Sequence, residues 1–211
     1  MSSLHTWPEP IVRVQSLSES GSTVIPNRYI KPPSERPLLS CYSSLDDGKV
    51  VNIPVIDLSG LNGDDENLHA ATMNDISKAC REWGFFQILN HGVCPDLMRH
   101  MRSIWRDFFH LPVELKQEYA NSPKTYEGYG SRLGVQKGAV LDWGDYFFLH
   151  YCPQSIKNHN KWPAQPYPCR ETTEEYGKQL VKLCGNLMKI LSKNLGLGVN
   201  HLQNLFGGED I

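Results

Sequence analysis

Trp83-Gly84-Phe85-Phe86-Gln87-Ile88-Leu89-Asn90-His91-Gly92-Val93 is the stretch on which the reading of this chain turns. Phe85, Phe86, Ile88 and Leu89 form an apolar run too short for a helix, bounded by glycine, so a strand is predicted. Gly84 stops what precedes it, and Asn90-His91-Gly92 reads as a turn. Size and apolar character assign Trp83, Phe85 and Phe86 to a core. Asn90 and His91 are expected to satisfy turn backbone rather than to serve as ligands.

On the N-terminal side, Leu68–Trp83 carries Ala70, Met73, Ile76, Ala79, Cys80 and Trp83 at spacings of three and four, one apolar helix face. Before it, Val51–Leu58 (VNIPVIDL) predicts a short strand, with Pro54 tolerable at a sheet edge. On the C-terminal side, Pro95 suits a first helical turn. Leu97, Met98, Met101, Ile104, Trp105, Phe108 and Phe109 then give a wide apolar stripe. Pro112 restarts the pattern in a shorter helix, 113–119. Residues 126–144 hold five glycines and no helical period, which predicts a loop or a loop with short strands. Tyr146–Tyr151 is an aromatic, strand-like run. A long helix is expected over Glu171–Asn194, with Tyr176, Leu180, Leu183, Leu187, Ile190, Leu191 and Leu195 as its stripe. Gly196 and Gly198 end it.

Residues 1–52 hold six of the 14 prolines and are read as an extended, Pro-rich arm with a short helix near Val12–Leu17. Residues 38–50 form a turn-rich linker. With 211 residues and 40% hydrophobic composition, one domain with appendages is the default. Twenty-one basic against 23 acidic residues exclude the basic field of a sequence-independent nucleic-acid binder. No apolar run reaches the ~18 residues of a membrane span, and the first ten residues have no secretory pattern. A cytoplasmic location is therefore expected, with no membrane and no nucleic-acid partner. Six cysteines without a CxxC pair read as reduced thiols.

Chemistry is hard to find from the residues themselves. No GxSxG elbow is present. Gly128-Tyr129-Gly130-Ser131-Arg132-Leu133-Gly134 lacks the strand–turn–helix context and the GK[ST] of a phosphate loop. A non-haem iron site wants two histidines and a carboxylate on one face. A common arrangement places His and carboxylate two residues apart on a strand end, pointing the same way. The residues two past the eight histidines are Trp7, Ala71, Val93, Arg102, Pro112, Cys152, Lys161 and Gln203, none acidic. No metal ligand and no catalytic residue is therefore assigned. Asp142 and Asp145 read as strand-end caps or as partners of Arg132.

WGFFQILNHGV nevertheless resembles a signature of plant 2-oxoglutarate- and Fe(II)-dependent dioxygenases. Ile53-Pro54-Val55-Ile56-Asp57-Leu58 is similar to that family's opening strand. Phe108-Phe109-His110-Leu111-Pro112 followed by Lys116, Tyr126-Glu127-Gly128-Tyr129-Gly130, and Leu141-Asp142-Trp143-Gly144-Asp145-Tyr146 match its later steps in order. The arm WPEPIVRVQSLSES resembles the same enzymes, and the motifs together are most similar to the jasmonate-induced oxygenase branch. The resemblance implies an α+β fold: a helical N-terminal layer plus a few short strands of an incomplete double-stranded β-helix, or jelly roll. Residues 53–211 would then be the non-haem dioxygenase N-terminal domain, behind the 1–52 arm.

The family's HxD…His iron ligands and its Arg-x-Ser pair for 2-oxoglutarate are missing from these residues. Fe(II) and 2-oxoglutarate are thus expected for the full-length family and not for this chain, which is expected to be a truncated, inactive portion of an oxidoreductase acting on a small organic acid such as jasmonic acid. By resemblance, Tyr146 and Phe148 are the substrate-proximal residues, although aromatics of this kind more often pack cores. A non-catalytic module that associates with a full-length homologue is the competing reading. An unrelated helical binding protein with chance matches is a third.

Overall fold

The computed structural model describes residues 12–36, 52–122, 126–131 and 137–208. The predicted linker 38–50 and Arg132 lie outside the described residues. The chain divides into two compact units, one from described residues within 1–46, 102–151 and 155–170, the other from those within 47–101, 152–154 and 171–211.

The second unit grows from the Trp83–Val93 stretch. β1 (Val55–Asp57) and β2 (Gln87–Leu89) pair in parallel, with Val55 opposite Gln87, Ile56 opposite Ile88 and Asp57 opposite Leu89. Parallel neighbours need a crossover, supplied here by α2 (Glu66–Glu82), whose N-terminus is capped by Asp65 accepting from the Asn67 and Leu68 amides. Strand alternation sends Ile56 and Ile88 to one face. There they meet Leu58, Ile76 and Ala79, and from α5 (Cys169–Asn194) Leu183, Leu187, Ile190 and Leu191. Four residues of the predicted α5 stripe thus form one wall of this core, while Tyr176 and Leu180 are half-buried outside it and Leu195 lies past the helix end and is exposed. The helix stops in a Schellman turn. Gly196 takes φ +70° and its N–H reaches the Lys193 carbonyl, while the Leu197 N–H reaches Ser192. α6 (His201–Leu205) follows.

One core assignment fails here. Phe85 is 54% exposed, and Trp83 and Phe86 are half-buried. Gly84, at φ +74°, turns the chain so that the Phe85 ring leaves the core side and meets Trp83 edge-on at 5.9 Å. The outward sites of the sheet, Val55 and Leu89, are exposed as well.

The first unit is built around an aromatic cluster on the C-terminal half of α3 (Pro95–His110). Phe108 is fully buried, with Trp105, Phe109, Tyr119, Tyr129 and Phe147 rings 5.2–6.4 Å from its own centroid. The cluster geometry is mostly edge-on, the arrangement that ring quadrupoles favour. α4 (Val113–Gln117) follows, as the restart at Pro112 predicts.

The glycine-rich stretch contains β3 (Gly128–Gly130), antiparallel to β4 (Tyr146–Phe148), with Gly130 opposite Tyr146 and Gly128 opposite Phe148. β3 has no room for side chains at its glycines. A Cβ on Gly128 would lie 2.1 Å from the Tyr119 carbonyl oxygen, and its φ is +117°. That proximity arises because the Tyr129 N–H donates to Tyr119 and the Asn121 N–H donates to Tyr129. α1 (Val14–Glu19) is the short arm helix, two residues later than expected.

Gly128→Ala is expected to destabilise this unit by about 3 kcal/mol or more, since backbone must move and φ is strained. Gly138→Ala, also at positive φ but in open space, should cost only about 1 kcal/mol. Equal losses in thermal melts of the two variants would contradict the packing described.

Candidate functional site

The two residues singled out as substrate-proximal share one face of β4. Strand alternation turns Phe147 the other way, onto Trp105 at 5.0 Å and Phe108 at 5.2 Å. Tyr146 is half-buried, and its hydroxyl meets the Asn121 side-chain amide. Burial pushes its phenol up to about 12, so it is protonated at neutral pH. Gly130 opposite explains the fit, for a Cβ there would lie 2.6 Å from the Tyr146 hydroxyl. Phe148 is 39% exposed and touches the His150 ring edge-on at 4.8 Å. The face therefore carries one anchored phenol and one accessible ring.

Asp145, immediately before Tyr146, fixes this strand. Its carboxylate accepts from the Val14 and Gln15 amides at 3.0 Å each, from Tyr129 Oη at 3.1 Å and from Ser131 Oγ at 2.6 Å. The first two donors are the open N–H groups that begin α1, so a carboxylate 130 residues away caps the arm helix. Arg13 completes the link. It is 2% exposed, donates to Ser131 Oγ at 3.1 Å and Gln117 Oε1 at 3.0 Å, and lies 4.6 Å over the Tyr129 ring. Lys116, with no exposed surface, donates to the Phe109 carbonyl at 2.7 Å and to Gln15 Oε1. Burial holds both cations below their ordinary pKa, and burial together with Asp145 raises the Tyr129 phenol.

Asp145 does act at a strand end, as expected, but its partners are the arm backbone, a phenol and a hydroxyl. Asp142 pairs with Lys31 at 2.8 Å, and the expected partner Arg132 lies outside the described residues. His91 does satisfy its turn, accepting from the Val93 amide at 3.1 Å. Asn90, at φ +50°, donates to the Asp57 carboxylate at 2.9 Å rather than to backbone. Asp57 also accepts from Ser59 N–H, and these bonds, that from Ser59 first, hold its carboxyl below the usual range.

The roles of Arg13 and Lys116 escaped the sequence reading. Both look like ordinary surface cations, and only the spacing of the Phe109–Lys116 motif carries any hint. Among the described residues, no three His, Cys, Asp or Glu side chains converge in a way that could hold a metal ion. The residues present here therefore do not fit the iron that the family resemblance implies, and no reaction step is assigned to them.

Asp145→Ala leaves four donors without their acceptor and is expected to cost about 2–4 kcal/mol. Limited proteolysis should then cut within residues 12–36 faster than in the parent, while Asp75→Ala, at an exposed position of α2, leaves the cutting rate unchanged. Equal rates in the parent and the Asp145→Ala variant would show that the carboxylate does not hold the arm.

Residues 53–165, more than half the chain, match the family described as non-haem dioxygenase in morphine synthesis N-terminal. Jasmonate-induced oxygenase 3 of Arabidopsis thaliana is 59% identical over 100% of this chain and 58% of its own length. Leucoanthocyanidin dioxygenase of Malus domestica is 35% identical over 93% of this chain and 56% of its own. A crystal structure of JOX2 in complex with 2OG, Fe and JA superposes with a TM-score of 0.84 at 55% identity, covering 97% of this chain and 55% of that one. The chain thus spans somewhat more than half the length of these relatives. No helix among the described residues is long and apolar enough to cross a membrane. The ordered motifs, the α+β architecture with its small, incomplete sheets and this family match make the chain a member of the plant 2-oxoglutarate- and Fe(II)-dependent dioxygenases.

Proposed function

We propose that these 211 residues are the N-terminal portion of a 2-oxoglutarate- and Fe(II)-dependent oxygenase that hydroxylates a small organic acid, jasmonic acid being the favoured substrate. Alignment with jasmonate-induced oxygenase 3 over the whole chain at 59% identity carries this reading. In it, residues 53–211 form the family's N-terminal domain behind the 1–52 arm. Iron and 2-oxoglutarate are held by residues outside this chain. Tyr146 and Phe148 present the chain's contribution to the substrate, a half-buried protonated phenol and an exposed ring on one strand face. Asp145 and Arg13 are positioning residues, acting through the strand that carries both.

The chain alone is inactive in this reading, because its described histidines and carboxylates do not converge. A second reading, a non-catalytic module that associates with a full-length homologue, draws on one observation. Ile53, Val55, Phe85 and Leu89 leave apolar surface exposed beside the β1–β2 pair.

Purified chain supplied with Fe(II), 2-oxoglutarate, ascorbate and jasmonic acid is expected to release no succinate above a metal-free control. A full-length jasmonate-induced oxygenase assayed alongside should release it. Iron-stimulated succinate release by the chain would overturn the assignment of iron binding to residues elsewhere.

A further inference from the structure

The second unit contains a cavity of about 670 Å³, within the range of ~300–1,000 Å³ seen for small-molecule sites. It opens between the turn at 58–62, the first half of α2, the 90–94 turn and α5. Its lining divides by chemistry. Leu58, Leu61, Met73, Leu187 and Val199 supply an apolar wall, while Lys182, Lys189, Lys193, His69 and His91 supply basic nitrogen. Among the described lining residues none is Asp or Glu, although the chain as a whole carries net charge −2.

Lys182, Lys189 and Lys193 are exposed at the rim of the cavity. Lys193 lies in the last turn of α5, where a cation complements the helix dipole. Lys182 sits mid-helix and gains nothing from the dipole. None of the three lysines forms an ion pair with a described residue. His91 is oriented rather than loose: its Nδ1 accepts from the Val93 amide, so the neutral ring carries its proton on Nε2 as a donor. Beside it, the Cys94 amide donates to Gln179 at 2.8 Å, which ties the 90–94 turn to α5 and fixes the cavity wall.

We infer that this cavity binds a soluble carboxylate with an apolar body, its charge met by Lys182 and Lys189 and its chain laid along Leu187 and Met73. The inference does not rest on the dioxygenase reading and stands or falls on binding alone.

Calorimetric titration of the full chain with decanoate, with acetate and with decyltrimethylammonium separates the contributions. Saturable binding of one decanoate is expected, with acetate and the cationic amphiphile each weaker by about tenfold or more. Lys182→Met with Lys189→Met should weaken decanoate by a similar factor, Lys182→Arg with Lys189→Arg should restore it, and Lys178→Met, on the same helix but outside the cavity, should leave it unchanged. In the unaltered chain, salt at about 1 M, where screening shortens to roughly 3 Å, should weaken decanoate as well. Amide shifts on titration should map to 69–73 and 182–193. Equal affinity for decyltrimethylammonium would reduce the site to an apolar groove, and equal affinity for acetate would reduce it to a cationic patch. Either result, absence of saturable binding, or an equal loss in Lys178→Met overturns the proposal.

Discussion

A single carboxylate does most to define the face that carries Tyr146 and Phe148. Asp145 gathers two backbone amides from α1, a phenol from β3 and a hydroxyl from Ser131. Each of those donors, left buried without an acceptor, would cost more than the bond contributes when made. The arm helix, the β3–β4 hairpin and the strand bearing Tyr146 are therefore held to one another through one side chain. Arg13 closes the arrangement from the arm side, over the ring whose hydroxyl Asp145 accepts.

The hairpin itself depends on what is missing from it. Gly128 and Gly130 leave space that Tyr119, Asn121 and Tyr146 fill. The short strand that the glycine-rich stretch was expected to allow forms because backbone approach replaces side-chain packing as the organising force.

The legibility of the chain follows the same division. Elements defined by apolar period lie within a few residues of expectation: α2, α3 and α5 are all present and the Gly196 stop is a Schellman turn, although Ala70 and Cys80 on the expected face of α2 and Leu195 beyond α5 are exposed. Ile56 and Ile88 could be assigned to strands, but their parallel pairing could not, because short apolar runs carry no orientation. Phe85 was misplaced because hydrophobicity says what a ring prefers and not which way a left-handed glycine will turn it. The cations were the least visible. Arg13 and Lys116 are buried by partners more than a hundred residues distant, and no local pattern encodes such a meeting. Tyr146 and Phe148, named on resemblance, do share a strand face, though sequence gave no hint that Asn121 and Gly130 would position the phenol.

Within the described residues, buried polar groups tie backbone together, as Asp145 does for α1, and no three His, Cys, Asp or Glu side chains converge in a way that could hold a metal ion. Anaerobic titration of Fe(II) into the chain in the presence of 2-oxoglutarate tests the proposal that iron is held by residues other than these. No charge-transfer band between iron and 2-oxoglutarate and no saturable uptake of metal are expected. A band that saturates at one iron per chain would contradict that proposal.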